Sequence, residues 1–226
     1  MTTAPAVDAS DIRLYLATPL ISDATTLVSG LGELLACADI AAVLVRLAPA
    51  PERTLINHLK ALAPIIQNAG VAMLVDGRAD LVARSGADGV HVGGIDELAE
   101  LMSQMKPDRI VGVGGLQSRH DAMVAGESGV DYVMFGEPDA AGIIPSQSAV
   151  IERISWWSEV FVLPCVGYAP TLEAIGEIAD ANADFILLDD AIWKDPRGAK
   201  TALLDAASMI EAHNERAETA SKAVRR

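Results

Sequence analysis

Polar residues with chemical potential stand at the ends of short apolar runs, and they include carboxylates, an arginine and a histidine. Carboxylates hold metal ions or exchange protons, arginine binds anions, and histidine titrates near neutral pH. Such a collection predicts a polar small-molecule site if the fold brings its members together. The candidates are Thr18, Arg46, Asp76, Arg78, His91, Asp96, Gln117, Ser118, Glu137, Asp139, Tyr168, Asp189 and Asp190.

The elements that would position these residues alternate regularly along the chain. Eight short β-branched runs are each followed by a helical stretch, which is typical of parallel βαβ units. Eight such units in 226 residues favour a single (β/α)8 barrel, predicted over residues 1–215, with a disordered tail over 216–226. The predicted strands span residues 14–18, 42–47, 71–75, 89–92, 109–113, 132–135, 160–165 and 185–188.

A weak internal repeat supports this reading. Residues 85–90, 128–133 and 181–186 each end a helix and lead through a turn into a buried strand. We expect Gly86, Gly129 or Asn182 to supply the left-handed cap in each case. Because active sites of such barrels lie where the strands end, the polar candidates fall at the barrel mouth.

Composition and charge narrow the classes of partner. Hydrophobic residues make up 51% of the chain and aromatic residues 4%, so the core must consist mainly of aliphatic side chains. The net charge of −14 argues against a nucleic-acid partner, which needs a clustered basic surface. No apolar run approaches the ~20 residues that span a bilayer. We therefore expect a small-molecule substrate, with no nucleic acid and no membrane.

Cysteine usage and the first residues bear on localisation. Cys37 and Cys165 belong to no metal-binding or redox spacing, so we interpret them as small hydrophobes in a reducing compartment. Residues 1–10 lack the basic start and apolar stretch of a signal peptide. A cytoplasmic protein is expected, and whether it forms a homo-oligomer is left open.

Several segments resemble a known family. Residues 75–81 read VDGRADL and residues 86–93 read GADGVHVG, similar to the INDRVDLA and GADGVHLGQSD stretches of thiamine phosphate synthases and their TenI-type relatives. Residues 129–136, GVDYVMFG, resemble the segment GADYVGFGP, and residues 14–18 resemble the first strand. Val166-Gly167 and Ala191-Ile192 resemble the family's two closing phosphate-binding segments, so order and spacing agree from strand 1 to strand 8.

The resemblance implies a (β/α)8 enzyme of thiamine biosynthesis. Its members join hydroxymethylpyrimidine diphosphate to thiazole phosphate and release pyrophosphate with the help of Mg²⁺. By position, it implies catalytic roles for Arg46, Asp76 and His91, and Mg²⁺ ligation by Asp76 and Asp96. The substrate-binding positions that it implies are Thr18, Arg78, Gly136, Gly167 and Asp190.

The chain departs from the family pattern where charged groups should meet the substrates. The family's Gln-x-Arg-x-Lys pattern after strand 2 reads Arg46-Leu47-Ala48-Pro49-Ala50, so both cations are absent. The metal-binding Asp after strand 3 is Gly77, and the loop after Gly136 lacks the family's Lys. Asp190 replaces a Ser in the last segment. We expect a degraded synthase site.

Each candidate also has a structural explanation. Arg46 fits an ion pair with Asp76 or Asp96 as well as it fits an anion site, and Arg78 fits a salt bridge beside a helix start. His91 fits a hydrogen-bonded structural histidine. The acids around the mouth indicate either a solvated rim or a site that has exchanged anionic ligands for a cation or an amine.

Three functions remain open from the sequence. One is a thiamine phosphate synthase that tolerates an altered site, and the second is a non-catalytic descendant that acts as a binding or regulatory module. The third is a TenI-type isomerase on a different ligand, with Asp76, His91 or Asp96 as acid or base.

Overall fold

The computed structural model describes residues 11–96, 98–139 and 141–224. The strands, in chain order, are β1 Arg13–Ala17, β2 Ile40–Val45, β3 Ala72–Asp76, β4 Gly89–Gly93, β5 Ile110–Gly114, β6 Tyr132–Phe135, β7 Cys165–Tyr168 and β8 Phe185–Leu188. All eight are parallel and pair in chain order, and β8 pairs back with β1 to close a barrel. The predicted (β/α)8 fold is confirmed.

Helices surround the barrel and connect successive strands. They are α1 Thr25–Leu35, α2 Glu52–Asn68, α3 Ala79–Ser85, α4 Leu98–Met105, α5 Arg119–Glu127, α6 Gln147–Val160, α7 Ala174–Asp180, α8 Asp190–Trp193 and α9 Ala199–Val224. None of them, over the residues that the structure describes, has the length and apolar character needed to cross a membrane. The predicted absence of a signal peptide concerns residues 1–10, which lie outside the described residues.

Strand periodicity divides the apolar residues into two cores. One face of each strand packs against the helices, while the other faces the barrel axis. The buried axial cluster contains Tyr15, Ala17, Leu44, Leu74, Tyr132, Met134, Val166, Tyr168 and Leu187. Because side chains alternate, Arg46, Asp76 and Asp189 share the axial face with Leu44, Leu74 and Leu187 two residues earlier.

The internal repeat has the structural role predicted for its caps. Gly86 and Gly129 both have φ 81°, and Asn182 has φ 63°, so all three adopt the left-handed conformation. The repeat also carries an aspartate that accepts a hydrogen bond from a backbone N–H at or beside the start of the preceding strand. These bonds join Asp88 to Met73 at 2.7 Å, Asp131 to Val111 at 2.6 Å and Asp184 to Cys165 at 2.8 Å. The repeat therefore fixes the register of three strands.

The structure corrects one predicted strand. The run 160–165 was expected to form strand 7, but α6 continues to Val160 and β7 begins only at Cys165. Val162 is fully exposed, and Pro164 has no N–H to donate to a ladder. At the other end, α9 runs from Ala199 to Val224. The domain boundary at 215 and the disordered tail stay predictions.

Candidate functional site

A cavity of about 460 Å³ opens at the carboxyl ends of the strands, where barrels of this kind carry their active sites. A larger cavity of about 630 Å³ lies against α9 and the start of β1, at the end associated with stability. The mouth cavity is therefore the candidate site. Its apolar lining includes Ala17, Leu44, Met134 and Leu187, and its polar lining includes Arg46, Asp76, His91, Gln117, Glu137, Asp139, Tyr168 and Asp189.

One half of the cavity is held together by its own hydrogen bonds. This closed half consists of Thr18, Arg46, Tyr168 and Asp189. Asp189 is 4% exposed and accepts hydrogen bonds from Arg46 Nη1 at 3.1 Å and from Tyr168 Oη at 3.0 Å. Arg46 also donates from Nε to the Thr18 carbonyl at 2.7 Å. Its charge is therefore compensated inside the protein.

Buried Thr18 and Tyr168 support this arrangement. The Thr18 hydroxyl accepts a hydrogen bond from the backbone N–H of Arg46 at 3.0 Å, which ties β1 to β2. Burial and the negative charge of Asp189 raise the pKa of Tyr168, so its phenol stays protonated. The protonated phenol therefore remains a donor to Asp189.

The polar groups in the opposite half of the cavity have fewer hydrogen bonds to other side chains of the cavity. This open half consists of Asp76, His91, Gly114 and Glu137. Burial raises the pKa of Asp76, although the positive charge of Arg46 opposes the shift. Burial also raises the pKa of Glu137 to about 7, against the hydrogen bond that its carboxylate accepts from the Gly115 N–H. Glu137 therefore changes charge near neutral pH.

His91 belongs to a chain of aromatic groups inside the barrel. Its Nδ1 lies 3.0 Å from Tyr132 Oη, which lies 2.9 Å from Tyr15 Oη. The His91 and Tyr132 rings are stacked, with centroids 5.7 Å apart and an interplanar angle of 11°. Burial lowers the pKa of His91 to about 4, so the imidazole is neutral at physiological pH.

Two glycines on β5 make room for these groups. A Cβ on Gly112 would overlap the Tyr132 ring. A Cβ on Gly114 would overlap the Glu137 carboxylate and lie 2.9 Å from His91 Nε2. The glycines are therefore the reason that Glu137 and His91 meet at one point of the cavity wall.

Comparisons with known proteins agree with this architecture. The family model described as thiamine monophosphate synthase matches residues 14–192. The thiamine-phosphate synthase of Rhodospirillum centenum is 39% identical over 199 residues, which cover 87% of this chain and 96% of that protein. This chain belongs to the thiamine monophosphate synthase family.

One further relative and one solved structure are similar to this chain. The thiamine-phosphate synthase of Hyphomonas neptunium is 33% identical over 202 residues, covering 84% of this chain and 90% of that protein. A thiamine phosphate pyrophosphorylase from Pyrococcus furiosus has the same fold, with a TM-score of 0.74 and 22% identity. That comparison covers 91% of this chain and 98% of the other.

The family positions predicted from the sequence are not all at the cavity. Arg46, Asp76 and His91 line it, whereas Arg78 forms an exposed ion pair with Asp80 at 2.7 Å. Thr18 is buried behind Arg46. The alternative pairing of Arg46 with Asp76 or Asp96 is wrong, because the partner is Asp189, which follows β8 across the closed barrel.

The predicted substrate-binding positions Gly136, Gly167 and Asp190 face away from the cavity or into solvent. A Cβ on Gly167 would lie 2.9 Å from Ile154, so this residue faces the helices. Gly136 has φ 100°, and a Cβ there would lie 2.9 Å from Val150 of α6. Asp190 is exposed and pairs with Lys194 at 2.6 Å. Their roles in substrate binding stay predictions.

The carboxylates predicted to hold Mg²⁺ do not form a common site. Asp76 lies in the cavity wall, while Asp96 is exposed and outside the set of described residues that line the cavity. No group of three or more His, Cys, Asp or Glu suited to a metal ion occurs within 11–96, 98–139 and 141–224. The donor set therefore does not fit the metal that the family resemblance implies.

Sequence reasoning missed the residues that organise the open half. Tyr15, Gly114 and Tyr132 were not among the candidates. Strand parity carried a signal, because Tyr15 precedes axial Ala17 and Tyr132 precedes axial Met134 by two residues. Tyr132 on β6 stands beside the glycine-containing strand β5, and this pattern predicts that its ring fills the space left by Gly112.

Proposed function

We propose that this chain acts in thiamine biosynthesis by binding thiamine precursors at the barrel mouth, as a synthase that has lost its groups for the diphosphate and the metal ion. The observation that carries the proposal is the Arg46–Asp189 pair within the family's cavity. Relatives named thiamine-phosphate synthase support the pathway, since one aligns over 96% of its length. The proposal includes a cytoplasmic location and a small-molecule ligand.

Electrostatics argue against tight binding of a diphosphate. Among the described residues that line the cavity, Arg46 is the only Lys or Arg, and Asp76, Glu137, Asp139 and Asp189 bring four carboxyl groups. A charged hydrogen bond contributes about 1.5–3 kcal/mol, so three lost contacts correspond to about 5–9 kcal/mol. A loss of that free energy lowers the affinity by roughly four to six powers of ten. The loss is smaller where the contacts are not additive.

A titration series tests the proposal. Hydroxymethylpyrimidine, its diphosphate, thiazole phosphate and thiamine phosphate are titrated by calorimetry, with and without Mg²⁺, and pyrophosphate release is followed separately. We expect hydroxymethylpyrimidine to bind at submillimolar concentration, with no gain from its diphosphate or from Mg²⁺. Absence of binding by all four compounds contradicts the proposal. Diphosphate binding that is at least ~100-fold tighter with Mg²⁺ would contradict the loss of the anion site.

A proton-transfer activity is a second candidate, favoured by Glu137 and His91. Glu137 titrates near pH 7 and His91 is neutral, which suits removal of a proton from one atom of a heterocycle and its return to another. Such an isomerisation needs no further reactant. It predicts that a bound thiazole or pyrimidine exchanges a ring or methyl proton with deuterated solvent faster than the free compound does. Equal exchange rates would exclude it.

A further inference from the structure

Glu137 lies outside the family resemblance but inside the candidate site. The similar family segment GADYVGFGP has Pro where this chain has Glu137, directly after Gly136. The carboxylate nevertheless lies in the cavity wall, bonded to the Gly115 N–H and accommodated by Gly114. Its position therefore depends on Gly114 and Gly115.

The aromatic chain determines which nitrogen of His91 carries the proton. Tyr15 and Tyr132 are buried, and the Tyr15 hydroxyl has Tyr132 as its partner among the described side chains. If Tyr15 donates to Tyr132, then Tyr132 donates to His91 Nδ1, and every hydroxyl hydrogen is used. The reverse direction would leave the Tyr15 O–H without an acceptor, at a cost of about 1–3 kcal/mol. Nε2 therefore carries the hydrogen.

The Nε2–H of His91 and the Glu137 carboxyl form one hydrogen-bonding surface. Both approach the point that a Gly114 Cβ would occupy, and His91 Nε2 lies 2.9 Å from it. A neutral imidazole N–H is a donor, while a carboxyl group that gains or loses a proton near pH 7 can both donate and accept. This surface faces a cavity whose other wall is apolar or internally bonded.

We infer that Glu137, held by the Gly115 N–H beside His91, binds the N–C–NH2 edge of an aminopyrimidine ring in the open half of the mouth. The carboxyl oxygen accepts from the amino group, and the carboxyl proton is shared with the adjacent ring nitrogen. The inference rests on the proposed function, because the pyrimidine half of thiamine carries this edge. The surplus of carboxylates over cations in the cavity favours a ligand that is neutral or takes up a proton.

The inferred contact requires one proton between Glu137 and the ring nitrogen. Since the pKa of Glu137 is about 7, that proton is present below pH 7 and is lost as the pH rises above it. Affinity should therefore fall between pH 7 and pH 9. Besides His91, the charged and titratable groups that act on Glu137 or share its cavity are Asp76 from β3, Tyr132 from β6, Arg153 from α6, Asp139 from its own loop, and Arg46, Tyr168 and Asp189 across the cavity.

Two substitutions at one position test the inference. Wild type, Glu137→Gln and Glu137→Leu are titrated with hydroxymethylpyrimidine and with its analogue that lacks the 4-amino group. A Gln amide mimics the protonated carboxyl, so Glu137→Gln should bind at pH 7 within ~3-fold of wild type and show no decline up to pH 9. Wild type should lose about 10- to 100-fold over that range, and Glu137→Leu should lose as much at pH 7.

The outcomes separate this inference from the proposed function. Wild type should bind the analogue without the amino group about 10- to 100-fold more weakly than it binds hydroxymethylpyrimidine. Glu137→Leu should bind the two compounds equally. Equal affinity of wild type and Glu137→Leu for hydroxymethylpyrimidine overturns the inference but leaves the proposed function intact. Binding of thiazole phosphate without binding of the pyrimidine does the same. Absence of binding by every thiamine precursor overturns both.

Discussion

The closed and open halves of the mouth contain similar residue types, but those residues have different roles in the two halves. In the closed half, Arg46 and Asp189 neutralise each other, and Tyr168 adds a second donor to the same carboxylate. In the open half, Glu137 accepts from the Gly115 backbone N–H, and burial raises its pKa to about 7. Charged groups that satisfy one another stabilise the barrel, whereas a carboxyl group with spare hydrogen-bonding capacity is available to a ligand.

The difference follows from what stands opposite each group. Asp189 is reached by a long arginine and a tyrosine from β2 and β7, so its oxygens are occupied. Glu137 projects over Gly114 of β5, which has no side chain to cover it. A small residue thus leaves the open half accessible, and large residues close the opposite half of the cavity.

The largest expected effect concerns the closed half. Arg46→Leu leaves the buried Asp189 carboxylate without its counter-charge, which should lower the free energy of unfolding by about 2–4 kcal/mol. Replacing both members, Arg46→Leu with Asp189→Leu, should restore most of that loss. Urea denaturation measures both values. Affinity for hydroxymethylpyrimidine should change less than ~3-fold in a variant that remains folded.

A loss of affinity above ~30-fold in folded Arg46→Leu would contradict the separate roles of the two halves, because it would show that Arg46 also contributes to ligand binding. The same preparations serve for the calorimetric titration, with circular dichroism as the check on folding. The double variant is the matched control, because it lacks both charges and keeps an apolar filling.

Gly114→Ala tests the open half. It should lower the free energy of unfolding less than Arg46→Leu does, but it should weaken ligand binding strongly. The added methyl group overlaps the Glu137 carboxylate and displaces it, so affinity for hydroxymethylpyrimidine should fall about 30- to 100-fold. Gly176→Ala is the control, because Gly176 lies on α7 outside the residues that line the cavity and its Cβ would meet nothing within 4 Å. Equal affinities of the two variants for hydroxymethylpyrimidine would show that Glu137 does not contribute to binding.

Tyr132→Phe should have the smallest effect of the three. It leaves His91 Nδ1 and the Tyr15 hydroxyl without their shared partner, at an expected cost of about 1–2 kcal/mol in unfolding free energy. Nitrogen NMR should show the His91 proton on Nε2 in wild type and a mixed population in the variant. An unchanged Nε2–H population in Tyr132→Phe would show that the aromatic chain does not orient His91.

Much of the fold was predictable because it depends on local signals. The strands over 132–135 and 185–188 agree with the structure to the residue, and Gly86, Gly129 and Asn182 cap helices as expected. Strand 7 was wrong because an exposed apolar run resembles a strand. Val162 lies in that run without being buried.

The site was predictable only as a set of positions at the barrel mouth. Strand parity placed Arg46 on the axial face, but periodicity does not tell which group across the barrel pairs with it. Its partner, Asp189, is 143 residues away in sequence. The Glu137–His91 surface likewise depends on Gly114, whose role is visible only when three strands are in register.

A crystal structure of the protein with hydroxymethylpyrimidine diphosphate tests the central claim most directly, because one ligand carries a group for each half. The account predicts that the N–C–NH2 edge lies within hydrogen-bond distance of the Glu137 carboxyl, while Arg46 keeps its 3.1 Å contact with Asp189. A diphosphate bound to Arg46, with the Arg46–Asp189 pair separated and the ring away from Glu137, would contradict it.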